Sequence, residues 1–228
     1  PVFEDAAQAI DSYYNDKPLG SIGTFGTFSF HETKNIISGE GGMLVINDER
    51  YIERAEIIRE KGTNRASFFR GEVNKYGWVD ICSSILPSDI IAAYLYAQLE
   101  NIDSIQAKRK ALWERYHSGL STLAGKGNIS LPVIPDFATN NAHMFYIVCE
   151  NLDTRSKLID HLKQNNIHSV FHYLSLNKIE LFLKDNEEVT LENSDKFTNN
   201  LLRLPMYFEL ELTQVDEIVE KINSFFGE

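Results

Sequence analysis

Short apolar runs separated by turn-forming residues characterise the opening part of the chain. Residues 2–5 are typical of the end of a strand, and the apolar residues 25–30 and 43–46 predict two further buried strands. Residues 6–14 predict a helix that begins directly after the first strand. Asp48 has the side chain of an N-cap and predicts the start of another helix.

Pro87 and Ser88 open the longest helical pattern of the chain. Two polar residues, Gln106 and Arg109, interrupt its apolar face. The apolar residues that share this face are Leu95, Leu99, Ile102, Trp113, Tyr116 and Leu120. Gly125 ends the pattern, so the sequence predicts one long helix.

The later part of the chain alternates strands and helices over shorter distances. Residues 143–149 and 167–172 predict strands on either side of a helix over residues 154–164. Thr213 is predicted to cap a final helix, in which apolar residues recur at i, i+3, i+4 and i+7. Strand, helix, strand and closing helix indicate a small α+β domain.

Two segments lack clean periodicity. Residues 63–84 mix basic and aromatic residues with glycines and predict a loop-rich segment, while residues 185–194 are charged and predict an exposed loop. We expect the long helix to carry the chain from one domain into the next, with residues 1–106 in a large domain and residues 107–228 in a small one. The predicted fold class is α/β.

Charge and cysteine content narrow the function classes. Basic residues number 22 and acidic residues 33, and the resulting formal charge of −11 argues against a nucleic-acid-binding surface. Cys82 and Cys149 lie far apart, which predicts no disulfide framework and fits a reducing cytosol. The sequence contains no run of about 18 apolar residues, so it predicts no membrane-spanning helix. The histidines show no metal-binding spacing, so we predict no metal site.

Lys34 is the candidate for covalent chemistry. It follows the predicted strand over residues 25–30, in a polar stretch that also holds hydroxyl and aromatic residues. A partly desolvated ammonium loses its proton more easily, and the free amine is the nucleophile that forms Schiff bases. Most lysines are solvated surface charges, however, and composition alone favours that alternative.

The residues around Lys34 resemble a known family. Residues 29–35 (Ser-Phe-His-Glu-Thr-Lys-Asn), followed by Ser-Gly-Glu-Gly-Gly at 38–42, resemble the cofactor-lysine segment of the DegT/DnrJ/EryC1/StrS sugar-nucleotide aminotransferases. Residues 4–8 (Glu-Asp-Ala-Ala-Gln) resemble that family's cofactor-ring segment. Three further stretches resemble one branch, the dTDP-4-keto-6-deoxyglucose 4-aminotransferases of bacterial surface-polysaccharide synthesis, at residues 59–65, 68–71 and 171–173.

This resemblance implies a pyridoxal-phosphate (PLP) enzyme of fold-type I. The chain would hold the later part of the large domain, with a mixed, mostly parallel sheet, and the small C-terminal α+β domain. Family members carry a long N-terminal portion before this point, and the chain lacks an initiator methionine. We therefore expect a fragment or a numbering that omits a preceding segment. The resemblance also implies a cytoplasmic homodimer without nucleic-acid or membrane partners.

The resemblance assigns roles around the cofactor. Lys34 would form the Schiff base and later move a proton, and Asp5 would keep the pyridine nitrogen protonated. Ala7 would lie beneath the ring, Gln8 would bind its phenolic oxygen, and Ser29 would contact the phosphate. The alternatives are a helix N-cap for Asp5, a first helical turn for Ala7 and Gln8, and an ordinary strand serine for Ser29.

Further residues are assigned to the substrate and to the neighbouring subunit. Ser84 stands where most of the family has an asparagine that reaches the neighbour's phosphate. Arg65 and Arg70 would clamp the diphosphate bidentately, although both could instead pair with acidic residues. His172 and Tyr173 resemble a sugar-facing pair, whereas a lone histidine is more often a satisfied core or surface residue.

The predicted function is the PLP-dependent transamination of a nucleotide-linked 4-keto-6-deoxyhexose, with glutamate as the amino donor. Sugar dehydratases of the same fold replace the lysine with histidine, so Lys34 counts against that activity. The alternative is a non-catalytic fragment that folds or dimerises without holding PLP.

Overall fold

The computed structural model describes residues 1–227, and these residues divide into two compact units. Residues 1–105 form the first unit together with residues 136–141, which return to it from later in the chain. The second unit holds residues 106–135 and the residues from Ala142 onward. The assignment of a large and a small domain to the two halves of the chain stays a prediction.

The first unit is built around a mixed sheet. Its strands are β1 (Phe3–Asp5), β2 (Tyr13–Tyr14), β3 (Lys17–Pro18), β4 (Phe25–Ser29) and β5 (Gly42–Ile46). Strand β4 lies between β1, to which it is parallel, and β5, to which it is antiparallel. Phe25 pairs with Phe3 on one side and with Ile46 on the other. Both predicted strands on either side of Lys34 form, but the prediction that the later one is buried is wrong, because Met43 is 45% and Leu44 50% exposed in β5.

The helix predicted over residues 6–14 is wrong. Residues 6–12 form turns, and the chain then enters the antiparallel β2–β3 hairpin. Asn15 and Asp16 connect the two strands with φ values of 45° and 62°. A two-residue hairpin turn of type I′ requires this left-handed conformation at both central positions, and Asn and Asp tolerate it.

Asn141 supplies the physical reason for the absence of that helix. Its Nδ2 donates to the backbone oxygens of Gln8 at 2.7 Å and of Ile10 at 2.8 Å. These carbonyls, which a helix would have used for its own hydrogen bonds, are therefore satisfied by a residue far along the chain. Local helix propensity is weak enough for such a tertiary contact to override it.

Helices follow the sheet of the first unit. They are a 3₁₀ turn (Glu49–Tyr51), α1 (Ile52–Arg59), α2 (Arg65–Phe69), α3 (Asp89–Glu100) and α4 (Ile102–Gly125), of which α4 continues into the second unit. The predicted cap at Asp48 is confirmed, because its side chain accepts from the backbone N–H of Arg50 at 3.1 Å. Helix α2 lies within the segment that was expected to be loop-rich.

The single long helix predicted after Pro87 is in fact two helices. Ser88 caps α3, as its Oγ accepts from the N–H of Ile91 at 3.4 Å. The helix ends at Asn101, whose φ of −108° departs from helical geometry and whose Nδ2 donates to the carbonyl of Ala97 at 2.8 Å. Asn commonly bonds nearby backbone in this way, which competes with helix continuation.

The second unit packs helices against an antiparallel sheet. Its strands are β6 (Ile129–Ser130), β7 (Phe145–Cys149), β8 (Val170–Phe171) and β9 (Leu201–Leu204), side by side in the order β6, β7, β9, β8. Its later helices are α5 (Leu152–Gln164), a 3₁₀ turn (Leu176–Lys178), α6 (Glu180–Leu183), α7 (Glu192–Asn200) and α8 (Leu212–Phe225). The predicted α+β pattern is confirmed.

The cap predicted for the last helix is wrong by two residues. Glu211, rather than Thr213, is the N-cap, and it forms a reciprocal capping box with Gln214. The side chain of Glu211 accepts from the backbone of Gln214, while Oε1 of Gln214 accepts from the Glu211 N–H at 2.9 Å. The apolar face of α8 lies in the core as the periodicity predicted.

A large apolar core fills the second unit. Residues from α4, α5, α8 and the inner strands form it, and its fully buried members include Leu112, Tyr116, Leu120, Phe145, Ile147, Leu158, Leu162, Leu202, Val215 and Ile222. Arg109 is buried beside it and donates to the carbonyls of Ala142 at 3.0 Å and His143 at 2.6 Å. Burial lowers the pKa of Arg109 to about 10, so it remains a cation at neutral pH. Among residues 1–227, no helix is both long and apolar enough to cross a bilayer.

Candidate active site

The sheet topology of the first unit brings several predicted site residues to one edge. Because β1 and β4 are parallel, their carboxyl ends meet at the same side of the sheet. Asp5 ends β1 and pairs with Thr27, and Ser29 ends β4 two residues further on. Gly42 begins β5 directly opposite Ser29. The turn that carries Lys34 leaves β4 from this edge.

Backbone hydrogen bonds close the loop that carries Lys34. The N–H of Ser38 donates to the carbonyl of Phe30 at 2.7 Å, and that of Glu32 donates to Gly39 at 3.0 Å. Gly39 has φ of +83°, a left-handed conformation that glycine adopts at no steric cost. The Lys34 N–H itself donates to the carbonyl of His31 at 2.9 Å. Both ends of the loop are thereby tied to the end of β4.

Two buried residues anchor the chain directly after Lys34. Nδ2 of Asn35 donates to the carbonyl of Asn141 at 2.7 Å, and Ile36 is fully buried in the apolar cluster of the first unit. Lys34 is half-buried next to them. The position of its backbone is therefore set on both sides, which is what a covalent attachment point for a cofactor requires.

The carboxylate of Asp5 divides its two oxygens. Oδ1 accepts from the backbone N–H of Ala7 at 3.2 Å, a turn in which the side chain binds the backbone two residues on. Within the described part of the chain, Oδ2 accepts no hydrogen bond. Since no helix follows Asp5, the helix-cap alternative is wrong. One oxygen holds the turn, and the other has no partner within residues 1–227.

The remaining predicted cofactor residues lie at the same end of β1 and β4. Ala7 is half-buried in the turn after Asp5, and Gln8 is exposed beside it. Strand β1 ends at Asp5, so Ala7 lies in the following turn and not in the strand. Oγ of Ser29 accepts from the N–H of His31 at a long 3.4 Å.

Glu4 is a site-supporting residue that the sequence did not single out. Its carboxylate accepts from the N–H groups of Gly20 at 2.8 Å, Ile22 at 2.7 Å and Gly23 at 2.6 Å. Burial opposes ionisation, but the hydrogen bonds from Gly23, Gly20 and Ile22 outweigh it and lower the pKa of Glu4. Glu4 thus ties β1 to the loop before β4. A glutamate within a short strand gives no signal of this role.

The arginines assigned to a diphosphate are engaged within the first unit. Arg70 donates to Glu56 at 2.9 Å and to Glu72 at 2.7 Å, and these hydrogen bonds raise the pKa of Arg70. This is the acid pairing that was the alternative assignment for Arg70. Arg65 instead lies over the ring of Phe69, 5.1 Å from its centroid.

Ser84 lies in an exposed stretch at the end of the same segment. It makes an isolated antiparallel bridge with Glu60. The structure, which contains no partner chain, places Ser84 on the surface of the first unit. Its proposed contact with a neighbouring subunit therefore stays a prediction.

His172 and Tyr173 belong to the second unit, directly after β8. They line a cavity of about 350 Å³ whose other lining residues include Ser175, Ser194 and Thr198. Nδ1 of His172 is buried and has no hydrogen-bond partner among residues 1–227. Burial, together with the positive charge of Arg203, lowers the pKa of His172, so the imidazole is neutral at pH 7.

The hydroxyl residues of this cavity were missed by the sequence patterns. Oγ of Ser175 lies 2.6 Å from Oγ of Ser194 and also donates to Oδ1 of Asn177. Polar residues in an irregular segment carry no periodic signal, so only the folded chain brings them together. No group of three or more metal-ligating side chains occurs among residues 1–227.

Comparisons with known proteins bear on this site. The spore coat polysaccharide biosynthesis protein SpsC of Bacillus subtilis (strain 168) is 27% identical over 230 residues, which cover 97% of this chain and 58% of that protein. The PLP-form of the putative sugar aminotransferase Spr1654 from Streptococcus pneumoniae is 26% identical with a TM-score of 0.81, over 98% of this chain and 57% of that one. DesV of S. venezuelae is 27% identical with a TM-score of 0.84, and the match covers 99% of this chain and 58% of that one.

This chain thus spans between 57% and 58% of the length of these relatives. The likeness to the solved aminotransferases confirms the predicted fold class. The model of the DegT/DnrJ/EryC1/StrS aminotransferase family matches residues 1–223, nearly the whole chain. The chain therefore belongs to the DegT/DnrJ/EryC1/StrS aminotransferase family.

Proposed function

We propose that the protein is a PLP-dependent aminotransferase that acts on a nucleotide-linked 4-keto-6-deoxyhexose, with glutamate as the amino donor. The observation that carries this proposal is the meeting of Asp5, Ser29 and the Lys34 turn at one edge of the sheet. Family membership supports the reaction class. The choice of keto-sugar, nucleotide and amino donor follows from the sequence resemblance alone.

The chemistry of these side chains fits PLP. Lys34 provides the primary amine for covalent attachment, and Oδ2 of Asp5, which accepts no hydrogen bond within residues 1–227, suits a protonated pyridine nitrogen. Ser29 provides a hydroxyl donor for the phosphate, with Ala7 and Gln8 at the end of the same strand. When bound, PLP supplies an electron sink that stabilises negative charge on the substrate carbon during amino transfer.

Each residue of the site then has a defined task. Asp5 holds a proton at the ring nitrogen, because an ionised carboxylate beside it favours the charged form. The Nζ of Lys34 would take a proton from one carbon and return it to another in each half-reaction. Ser29 orients the phosphate by a charge-assisted hydrogen bond. The anchors at Asn35 and Ile36 keep the Lys34 backbone in place throughout.

The cavity beside His172 and Tyr173 supports a sugar as substrate. Ser175, Ser194 and Thr198, which carry hydroxyl groups, are among its lining residues. Such groups both donate and accept hydrogen bonds, which suits the hydroxyls of a hexose. A neutral His172 adds an acceptor and the ring of Tyr173 an apolar face. SpsC is named for spore coat polysaccharide biosynthesis and Spr1654 as a putative sugar aminotransferase, and both names agree with a sugar substrate.

The proposal includes a homodimer with shared sites, in which Ser84, Arg65 and Arg70 lie near the partner's cofactor. Apolar exposure in the segment over residues 63–84 supports an interface, since Trp78 is 84% and Ile81 96% exposed. Light scattering of the purified protein at micromolar concentration is expected to give twice the chain mass. An active monomer would contradict the dimer.

Subunit mixing tests whether the sites are shared. A Lys34→Ala subunit and a subunit with Ser84→Ala and Arg70→Ala are each expected to be inactive. If the sites are shared, the mixed dimer regains activity, because one of its two sites combines an intact Lys34 with an intact partner segment. No regain would place Ser84 and Arg70 away from the neighbouring site.

A second candidate is a non-catalytic polypeptide that folds or pairs without holding PLP. Two observations favour it. The apolar cluster of the first unit is small, and the surface of this unit exposes many large apolar side chains. Exposed patches of this kind are typical of interaction surfaces. The two candidates differ in whether the purified chain retains the cofactor.

The deciding experiment is covalent capture of PLP. The purified protein is incubated with PLP, its visible absorption is recorded, and borohydride is added before peptide mapping. We expect a yellow protein that bleaches on reduction and carries the label on Lys34. Lys17→Ala, which removes an exposed lysine of the β2–β3 hairpin, is the matched control and keeps the label. A folded protein with no absorption, or with label elsewhere, would support the non-catalytic candidate.

A further inference from the structure

The imidazole of His31 lies inside the loop that carries Lys34. Its Nδ1 accepts from the backbone N–H of Thr33 at 3.2 Å and lies 3.0 Å from the Thr33 hydroxyl oxygen. Its Nε2 lies 3.8 Å from Oε1 of Glu40, at the far side of the loop. Both ring nitrogens therefore face groups of the loop itself.

These contacts determine the tautomer of His31. A backbone N–H can only donate, so Nδ1 must present its lone pair to Thr33. The proton of the neutral ring then resides on Nε2, since the hydrogen bond made by one ring nitrogen decides the state of the other. The carboxylate of Glu40 lies beyond hydrogen-bond length from Nε2, but its negative charge favours a proton on that nitrogen.

His31 holds two successive backbone N–H groups. Its side chain accepts from Thr33, and its backbone carbonyl accepts from Lys34 at 2.9 Å. An acceptor that binds the N–H two residues further on imitates the turn that Asn and Asp form with their own side chains. The direction in which the chain reaches Lys34 is thus set by a single residue, before Asn35 and Ile36 anchor the other side.

We propose that His31 is a positioning residue, whose Nδ1 fixes the turn from which Lys34 reaches the cofactor. This inference rests on the proposed function of Lys34. His31 itself contacts no reacting atom in this role. The alternative is that the imidazole only fills space beside the loop.

Two variants separate these possibilities. In His31→Asn, the amide Oδ1 takes the place of Nδ1 and accepts from the Thr33 N–H, so the turn is kept. In His31→Ala, the acceptor is lost. His168→Ala, which removes an exposed histidine of the second unit, is the matched control. A role that depends on ring volume alone would leave Asn and Ala equally impaired.

Amide hydrogen exchange at Thr33 is the first measurement. We expect exchange to be about tenfold faster in His31→Ala, the effect of losing one intramolecular hydrogen bond, and close to wild type in His31→Asn and His168→Ala. Long-range proton–nitrogen correlation spectra of the wild type are expected to show a bare Nδ1 and a protonated Nε2. A protonated Nδ1 in the neutral ring, or unchanged exchange in His31→Ala, would overturn the proposal.

The second measurement is the rate at which Lys34 captures PLP, trapped with borohydride and mapped to the residue. His31→Ala is expected to slow capture at least about tenfold and His31→Asn less than about threefold, as a conservative acceptor rescues the turn. Equal rates in both variants would overturn the positioning role. If the wild type captures no PLP, the proposed function fails, while the exchange and tautomer measurements still decide how His31 holds the turn.

Discussion

The two units of the chain hold their structure by different means. The second unit has a contiguous apolar core in which residues such as Leu112, Phe145 and Ile222 are fully buried. The apolar cluster of the first unit contains Phe30, Ile36 and Ile105, with a few partly buried neighbours. Large apolar residues of the first unit instead lie at its surface, including Trp78, Ile81 and Ile90.

Around the candidate site, polar contacts take the place of a large apolar core. Asn141 ties the turns after β1, Asn35 anchors the chain directly after Lys34, and Glu4 binds the loop before β4. Buried polar groups of this kind specify one geometry, because leaving any of them unpaired is costly. The comparison indicates that stability in the second unit comes from packing, whereas the geometry of the first unit comes from hydrogen bonds.

The largest effect is expected from Lys34→Ala, which should lower activity without lowering the stability of the first unit. We predict that Lys34→Ala lowers glutamate-dependent amination of the keto-sugar more than about 10⁴-fold, because the attachment amine and the proton carrier are lost together. The thermal unfolding temperature should remain within a few degrees of wild type, since a half-buried lysine at a turn contributes little packing. Lys17→Ala is the control for both measurements. Full activity in Lys34→Ala would remove the central assignment.

Asp5→Asn tests whether the two carboxylate oxygens have separate tasks. The Asn side chain still accepts from the Ala7 N–H, so the turn after β1 is expected to persist. It cannot hold a proton at the ring nitrogen, so we expect cofactor retention with a rate lowered about 10²- to 10⁴-fold. Absorption of the bound cofactor and the amination rate measure the two effects separately. A near-normal rate would mean that Asp5 only holds the turn.

Phe145→Ala attacks the packing of the second unit. The ring is fully buried and stacks on Tyr116 with centroids 5.0 Å apart. Its removal is expected to lower the free energy of unfolding by about 3–5 kcal/mol, through lost burial and the cavity left behind. Urea unfolding monitored by circular dichroism checks this value. Phe145→Leu, which keeps most of the apolar volume, is expected to cost clearly less; an equal loss would show that burial does not dominate there.

Asn141→Ala attacks the hydrogen bonds of the first unit. The change leaves the carbonyls of Gln8 and Ile10 without their donor, so we expect a loss of about 1–3 kcal/mol in the free energy of unfolding. Amide exchange over residues 6–12 is expected to rise more than in the core of the second unit. Asn128→Ala, at a turn of the second unit, is the control. Equal protection in both units would contradict the division of roles.

Local patterns in the sequence determined many elements because their cause is local. The strands formed by the apolar runs on either side of Lys34, the caps at Asp48 and Ser88 and the apolar face of α8 all follow from side chains within a few residues. The motifs around Lys34 and Asp5 also predicted the family and the fold class correctly. The roles of the site residues remain predictions, since they depend on a ligand.

Contacts between distant residues decided the rest. Hydrogen bonds from Asn141 favour turns and a hairpin where a helix was predicted, and pairing with Glu56 and Glu72 decided between the two alternatives left open for Arg70. The tautomer of His31 depends on where Thr33 and Glu40 lie once the loop has closed. The periodicity of apolar residues predicts which side chains are buried, but it does not predict which polar atoms form hydrogen bonds with each other. Hydrogen-bond partners far apart in sequence therefore became known only from the tertiary structure.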